Sequence, residues 1–307
     1  MDDEELAELE KLHKKRLAAR KRKEQSKPWG KKERLIVLII LASTILISGF
    51  LAASARNFKL PGLPRLKIAL PKLSLFKGGT IIIGKKPNDS ARDKQTEKAN
   101  KITTAFREKT RNLSGIYALY VIDLKTGFSF GVNENEIMQA ASLIKLPVMA
   151  MAIGDSSYKP LLEAMGKRSD NSAQIKVVSA LGKDKVQVYI TGLGMDKTSL
   201  EENKTTPKEI GVFFQKLWNL EIVKEKDRDE LLGYLTKTIF ENWIVAGIPD
   251  DTRVAHKYGR EVHVVNDAGI VFTNKPFVLV IMTDGVVEKE ADEVFPDLAK
   301  LVFEGVK

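Results

Sequence analysis

Between Arg34 and Arg56 the chain runs through residues 35–55 without one charged side chain. As a helix that stretch spans about 31 Å at 1.5 Å per residue, the thickness of a bilayer's hydrocarbon core. It predicts a transmembrane anchor, so the folded part of the protein must be built on one side of it. Residues 1–10 are acidic and 11–34 strongly basic, with no sustained apolar stripe, which predicts a solvated tail over 1–34. Lys and Arg crowd both flanks, more densely on the N-terminal side. The expected topology is a single pass through the cell membrane with the N-terminus cytoplasmic, the downstream domain extracytoplasmic and membrane lipid as a partner. Ala53-Ser54-Ala55 has the form of a signal-peptidase site. The apolar run is longer than a signal-peptide core, which favours an uncleaved anchor.

Residues 56–89 carry prolines at 61, 64, 71 and 87 between single lysines and short apolar pieces, a composition that forbids helix and favours an extended tether. One folded domain, 90–307, remains. Much of the formal net charge of +10 lies in the tail and tether and speaks of a membrane surface. No Arg-rich, aromatic-interleaved stretch points to nucleic acid. The absence of cysteine excludes disulfides, thiolate metal sites and a cysteine nucleophile.

Within the domain, apolar spacing predicts a helix over 90–112, capped by Ser90, then a hairpin of strands 115–122 and 128–132. Lys125-Thr126-Gly127 occupies the turn, where Gly supplies positive φ. Helices follow at 142–152, 160–167, 174–181 and 184–191. Another opens at Thr205-Thr206-Pro207 with Ile210, Phe213, Phe214 and Leu217 on its apolar face, and one more covers 227–240. The chain closes with strands 254–257, 262–272 and 277–284 and an amphipathic helix over 288–303. This order predicts an α+β domain whose antiparallel sheet is completed by both ends of the domain, with flanking helices.

Chemistry concentrates at Ser142-Leu143-Ile144-Lys145, at the mouth of an apolar helical run. At that spacing the lysine amine reaches the serine hydroxyl, and a desolvated lysine with a lowered pKa can activate it as a nucleophile. Two other Ser-x-x-Lys strings lack a helix to hold them: Ser74 with Lys77 in the tether, and Ser156 with Lys159 in a polar turn. Downstream of Ser142 come Ser169-Asp170-Asn171 and Lys257-Tyr258-Gly259. Taken singly these are ordinary capping and strand-end triplets. His256 and His263 lack metal-ligand spacing and read as strand residues; Met149 and Met151 read as helix packing. No metal or cofactor is expected.

The three motifs in this order resemble the signatures of the penicillin-recognising serine enzymes, the class A β-lactamases and penicillin-binding proteins. The resemblance extends through Thr205-Thr206-Pro207, Ala255-His256-Lys257 and Asn266-Asp267-Ala268-Gly269-Ile270-Val271, and covers about residues 100–305. It implies a β-lactamase/transpeptidase-like fold with an all-helical subdomain. Ser142 would form an acyl-enzyme with a β-lactam or a peptidoglycan stem peptide, with Lys145 as base and Ser169 as proton relay. Asn171 would orient Lys145 and the substrate amide, and Lys257 would meet the substrate carboxylate. Tyr258 and Gly259 complete the substrate-binding strand, and the backbone N–H groups of Ser142 and Arg260 would form the oxyanion hole.

Three departures from the family pattern stand out. The segment between Ser142 and Ser169 is short, so the helical subdomain is expected to be trimmed. Tyr258 replaces a small hydroxyl residue. The segment 194–205 is too short for the loop that carries the deacylating glutamate, leaving only Glu201 and Glu202 as acidic candidates and predicting slow release of the acyl group. A β-lactam hydrolase, a D,D-carboxypeptidase or transpeptidase, and a non-catalytic cell-wall-binding ectodomain all remain compatible with this sequence.

Overall fold

The computed structural model describes Gly30, residues 37–39, residues 41–44 and residues 89–307. The chain divides into two units, 1–82 and 83–307. Of the first, residues 37–39 and 41–44 are helical. The basic tail, most of the apolar span and nearly all of the tether lie outside the described residues. Among those described, no helix is long and apolar enough to cross a membrane.

The second unit opens with helix α1 (Asp89–Thr110), which buries Ala99, Ile102 and Phe106 at helical spacing. Strands β1 (Ile116–Asp123) and β2 (Ser129–Val132) form the expected antiparallel hairpin. Its turn is held by Asp123, whose Oδ1 accepts from the N–H groups of Lys125 and Thr126. Gly127 sits at φ 73°, so Lys125-Thr126-Gly127 serves the turn. The chain returns to the same sheet at its other end through β5 (Val254–Glu261), β6 (Val264–Val271) and β7 (Phe277–Asp284), giving the antiparallel order β2-β1-β7-β6-β5. A short pair, β3 (Met138–Gln139) with β4 (Lys204–Thr205), sets Gln139 opposite Lys204.

Both faces of the sheet are apolar, because strand side chains alternate and each face is covered. Tyr117, Leu119, Val121, Leu279 and Ile281 pack under α1 and the last helix, α8 (Glu288–Val306). Ala118, Tyr120, Ile122, Ala268, Val280 and Met282 join the core of the helical subdomain. That subdomain contains α2 (Lys145–Ala152), α3 (Lys159–Arg168), α4 (Asn171–Leu181), α5 (Lys183–Gly192), α6 (Pro207–Trp218) and α7 (Glu225–Tyr234). Thr206 caps α6 by accepting from the Glu209 N–H, Pro207 opens it, and Ile210, Phe213, Phe214 and Leu217 are fully buried.

Three expectations need correction. Helix α7 stops at Tyr234 instead of running to 240. Lys237 has φ 51°, Glu241 accepts from the Thr238 N–H, and the Leu235 carbonyl accepts from the His256 N–H. These contacts pull the chain toward β5. Strand β5 runs on to Glu261, because Tyr258, Gly259, Arg260 and Glu261 all pair with β6. The β5–β6 turn then takes Val262 and His263. His263, at φ 61°, is a turn residue, and Val262 is exposed.

Candidate active site

Ser142 lies in a 3-10 turn, Ala141–Ile144, that runs directly into α2. In a 3-10 turn residues i and i+3 eclipse, which brings Lys145 over Ser142 more directly than an α-helix would. Lys145 Nζ donates to Ser142 Oγ at 2.8 Å and to Asn171 Oδ1 at 2.7 Å. Burial pulls this amine down to about 8, against the opposing charges of Glu261 and Asp170. Its helix pays little attention to that cost: Leu146, Val148 and Met149 are fully buried beside it. Each contributes about 1.5–3 kcal/mol as an upper estimate, and together they outweigh one desolvated lysine.

The backbone leading into Ser142 is fixed from three sides. Asn266 Nδ2 donates to the carbonyls of Gln139 and Ala140, at 2.8 and 3.2 Å, and the Ala140 N–H donates to the Asn203 carbonyl at 2.8 Å. Ala141 is held at φ 48°, a left-handed conformation that disfavours a residue with a Cβ. Gly259 closes the third side, so near that a Cβ there would lie 2.7 Å from Ser142 N.

Ser169 ends α3 in the left-handed region at φ 55°. Asp170 caps α4 by accepting from the Ala173 N–H, which places Asn171 in the first turn of that helix, facing Lys145. Lys257 is fully buried on β5, with Nζ 2.9 Å from Ser169 Oγ and 2.6 Å from the Tyr258 carbonyl. Burial holds its amine well below the usual lysine range, and the nearby Lys145 pushes the same way.

Strand β5 is an edge, so alternate N–H groups face away from the sheet. The His256 N–H points outward to Leu235 O, and by that alternation the Tyr258 and Arg260 N–H groups face the same open edge. The Arg260 amide therefore lies beside the close contact of Gly259 with the Ser142 amide, a geometry suited to binding an oxyanion. The Arg260 side chain is turned elsewhere, ion-paired to Asp292 and lying over Trp243.

Ser142, Lys145, Asn171 and Arg260 share a cleft of about 530 Å³ with Gln174, Ile175 and Asn203. Ser169 and Lys257 lie beside it, linked to each other. The Tyr258 ring packs on Phe240 at 5.3 Å and His256 at 6.4 Å, with Lys257 Nζ 4.1 Å from its own centroid. Its bulk is thus largely taken up on the α8 side of the sheet. Glu201 and Glu202 are 75% and 62% exposed, ion-paired to Lys183 and Lys204. Neither is among the residues that line the Ser142 cleft.

Sequence reasoning left three site residues unassigned: Asn266, Asn203 and Glu261. Glu261 accepts from Gln139 Nε2 at 3.0 Å and from Asn203 Nδ2 at 2.9 Å, and it lines the same cleft. Its position four residues beyond Lys257 was the available signal, because on a strand that spacing repeats the same face.

An antiparallel sheet with two helices on one face, a helical subdomain on the other and a Ser-x-x-Lys turn between them defines the fold of the penicillin-recognising serine hydrolases. The chain belongs to the Beta-lactamase enzyme family, whose profile matches residues 97–159 and 153–306. It is similar to the solved structure of PBP-A, with a TM-score of 0.62 and 21% identity over 69% of this chain and 96% of that one. A β-lactamase from Xanthomonas campestris pv. campestris gives a TM-score of 0.64 at 18% identity, covering 68% and 99% of the two chains. An ancestral class A β-lactamase gives 0.61 at 19%, covering 66% and 99%. At these identities the likeness establishes the fold. A stretch of 117 residues is 26% identical to the DNA replication and repair protein RecF of Streptococcus equi subsp. equi, covering 36% of this chain and 30% of that protein. The chain therefore spans about a third of that relative's length.

Proposed function

We propose that the domain is a serine acyl-transfer enzyme that reacts with β-lactams or with acyl-D-Ala-D-Ala peptides through Ser142. The observation that carries this is the 2.8 Å contact between Ser142 Oγ and an amine that burial has brought to about 8. At pH 7 about a tenth of such an amine is neutral, enough to accept the hydroxyl proton. Oγ then attacks the carbonyl, and the resulting oxyanion is met by the Ser142 and Arg260 N–H groups. On collapse the C–N bond breaks and Ser169 passes a proton to the leaving nitrogen, taking one in turn from the Lys257 ammonium hydrogen-bonded to it, while the proton from Oγ stays on Lys145. Ser142 retains the acyl group as an ester. A substrate carboxylate arriving at Lys257 restores that lysine's charge, since an opposite charge favours the ammonium form.

In this proposal the enzyme works outside the cytoplasm, tethered by the uncharged span 35–55. That span, its basic flanks and the proline-spaced segment after it support the anchor. Alkaline carbonate extraction of membranes tests it: an anchored protein stays in the pellet.

Labelling the full chain with a fluorescent penicillin, followed by peptide mass analysis, tests the chemistry. The expected result is one adduct on the peptide containing Ser142, abolished by Ser142→Ala. A protein that stays unlabelled at saturating probe is not an enzyme of this class.

A further inference from the structure

Strand alternation places Lys257, Gly259 and Glu261 on one face of β5, successive members about 7 Å apart. Gly259 is the middle one, and it packs on the nucleophile's backbone. A carbonyl attacked by Ser142 would thus sit between a lysine at one end of the strand and a carboxylate at the other. Glu261 is held in place by two neutral amides, Gln139 Nε2 and Asn203 Nδ2, one on each oxygen. Because a carboxylate only accepts, these contacts also fix the orientation of the Asn203 amide. They leave Asn203 Oδ1 buried without a hydrogen-bond partner. A buried unpaired acceptor costs about 1–3 kcal/mol and persists where the surroundings over-determine it.

The cations around Glu261 are already committed. Lys183 pairs with Glu201, Lys204 with Glu202, Arg260 with Asp292, and Lys145 donates to Ser142 and Asn171. Among the described residues Glu261 makes no ion pair of its own. At this end the cleft presents a carboxylate held by neutral amides, a fixed acceptor for a cationic donor.

We propose that Glu261, positioned by Gln139 and Asn203, is the subsite for a substrate ammonium about 7 Å from the reacting carbonyl, on the side opposite the substrate carboxylate. The favoured substrate class is therefore an acyl donor with a carboxylate at its leaving end and a primary amine on its acyl side, such as a stem peptide whose diamino acid keeps its side-chain amine free. This rests on the acyl-transfer function proposed above and narrows its substrate.

A matched set of three penicillins tests it, with acyl side chains of equal length ending in an ammonium, a methyl group or a carboxylate. Dissociation constants are measured on full-length Ser142→Ala, where no acylation occurs, and acylation rates on the wild type. The ammonium probe is expected to bind about fivefold more tightly than the methyl probe, and the carboxylate probe more weakly, the size of one partly solvated ion pair. Adding Glu261→Gln, which keeps the size and removes the charge, should bring the three constants together, and Glu261→Lys should reverse their order. Equal constants for all three probes on Ser142→Ala overturn the subsite. So does a Glu261→Gln effect confined to slower release of every acyl group alike, which would make Glu261 a water-activating base. Failure of the wild type to acylate with any probe, while the ammonium preference in binding persists, would remove the acyl-transfer function and leave the subsite standing.

Discussion

Gly259 and the amide of Ser142 are in such close contact that a methyl group on Gly259 would stand 2.7 Å from Ser142 N and 3.1 Å from the Ala141 Cβ. Both neighbours belong to a turn fixed by Asn266 and Asn203, so the edge strand is the part that must give way. Gly259→Ala should therefore move the Arg260 amide away from the Ser142 amide. Acylation by a chromogenic cephalosporin is expected to fall about 10²-fold, the loss seen when one oxyanion donor is displaced. Stability should fall by only about 1–3 kcal/mol, as for an overpacked core position. Unchanged acylation would mean that the two amides do not work together.

Lys145 leads to a pH profile. An amine brought to about 8 by burial is neutral above that pH, so acylation should rise from pH 6 and level off above about 8. Lys145→Arg keeps a positive charge but cannot lose its proton, and should acylate at least about 10²-fold more slowly. Equal rates in the two proteins would remove Lys145 as the base.

Much of this site was legible because its parts are local. Ser142 and Lys145 are separated by one turn, Asp170 and Thr206 cap the helices they precede, and α6 shows its apolar face at Ile210, Phe213, Phe214 and Leu217. What escaped depends on contacts between distant segments. Beyond Lys257 the strand carries Tyr258, Gly259, Arg260 and Glu261, which break the apolar alternation because one side of this edge strand faces a polar cleft. Pairing with β6 keeps them extended. Helix α7 ends early for a similar reason, since the Leu235 carbonyl just past it and Thr238 are drawn to His256 and Glu241. Glu261 became a site residue only when Gln139 and Asn203, which lie 64 positions apart in the sequence, met over it.

His256 gives a stability prediction. Burial alone would lower its pKa, but Asp267, 2.7 Å away, and Glu241 raise it to about 9. The folded state therefore holds this proton more tightly than the unfolded chain. The resulting stability, about 3 kcal/mol, is fully present below pH 6.5 and is lost as pH rises through 9. A ring titration followed by NMR should show a midpoint near 9 that Asp267→Asn lowers. Urea midpoints measured from pH 6 to 9.5 should decline in the wild type more steeply than in Asp267→Asn. A midpoint near 6.5 would show that the carboxylates do not hold the charge.

Turnover depends on what can activate water after Ser142 is acylated. The segment between Gly194 and Thr205 folds into tight turns and a bridge between Ser199 and Lys204, and its two glutamates are spent on the surface with Lys183 and Lys204. An exposed carboxylate paired to a lysine is too far committed to solvent to hold a water within about 3 Å of the acyl carbonyl. Acylation should therefore be fast and release slow. Pre-steady-state mixing with a chromogenic cephalosporin is expected to show a burst near one equivalent followed by a slow linear phase. Glu201→Gln and Glu202→Gln should leave that slow phase within about twofold of wild type, as expected for surface substitutions. Rapid turnover without a burst, lost on changing Glu202 alone, would show that this loop closes over the acyl-enzyme and supplies the base after all.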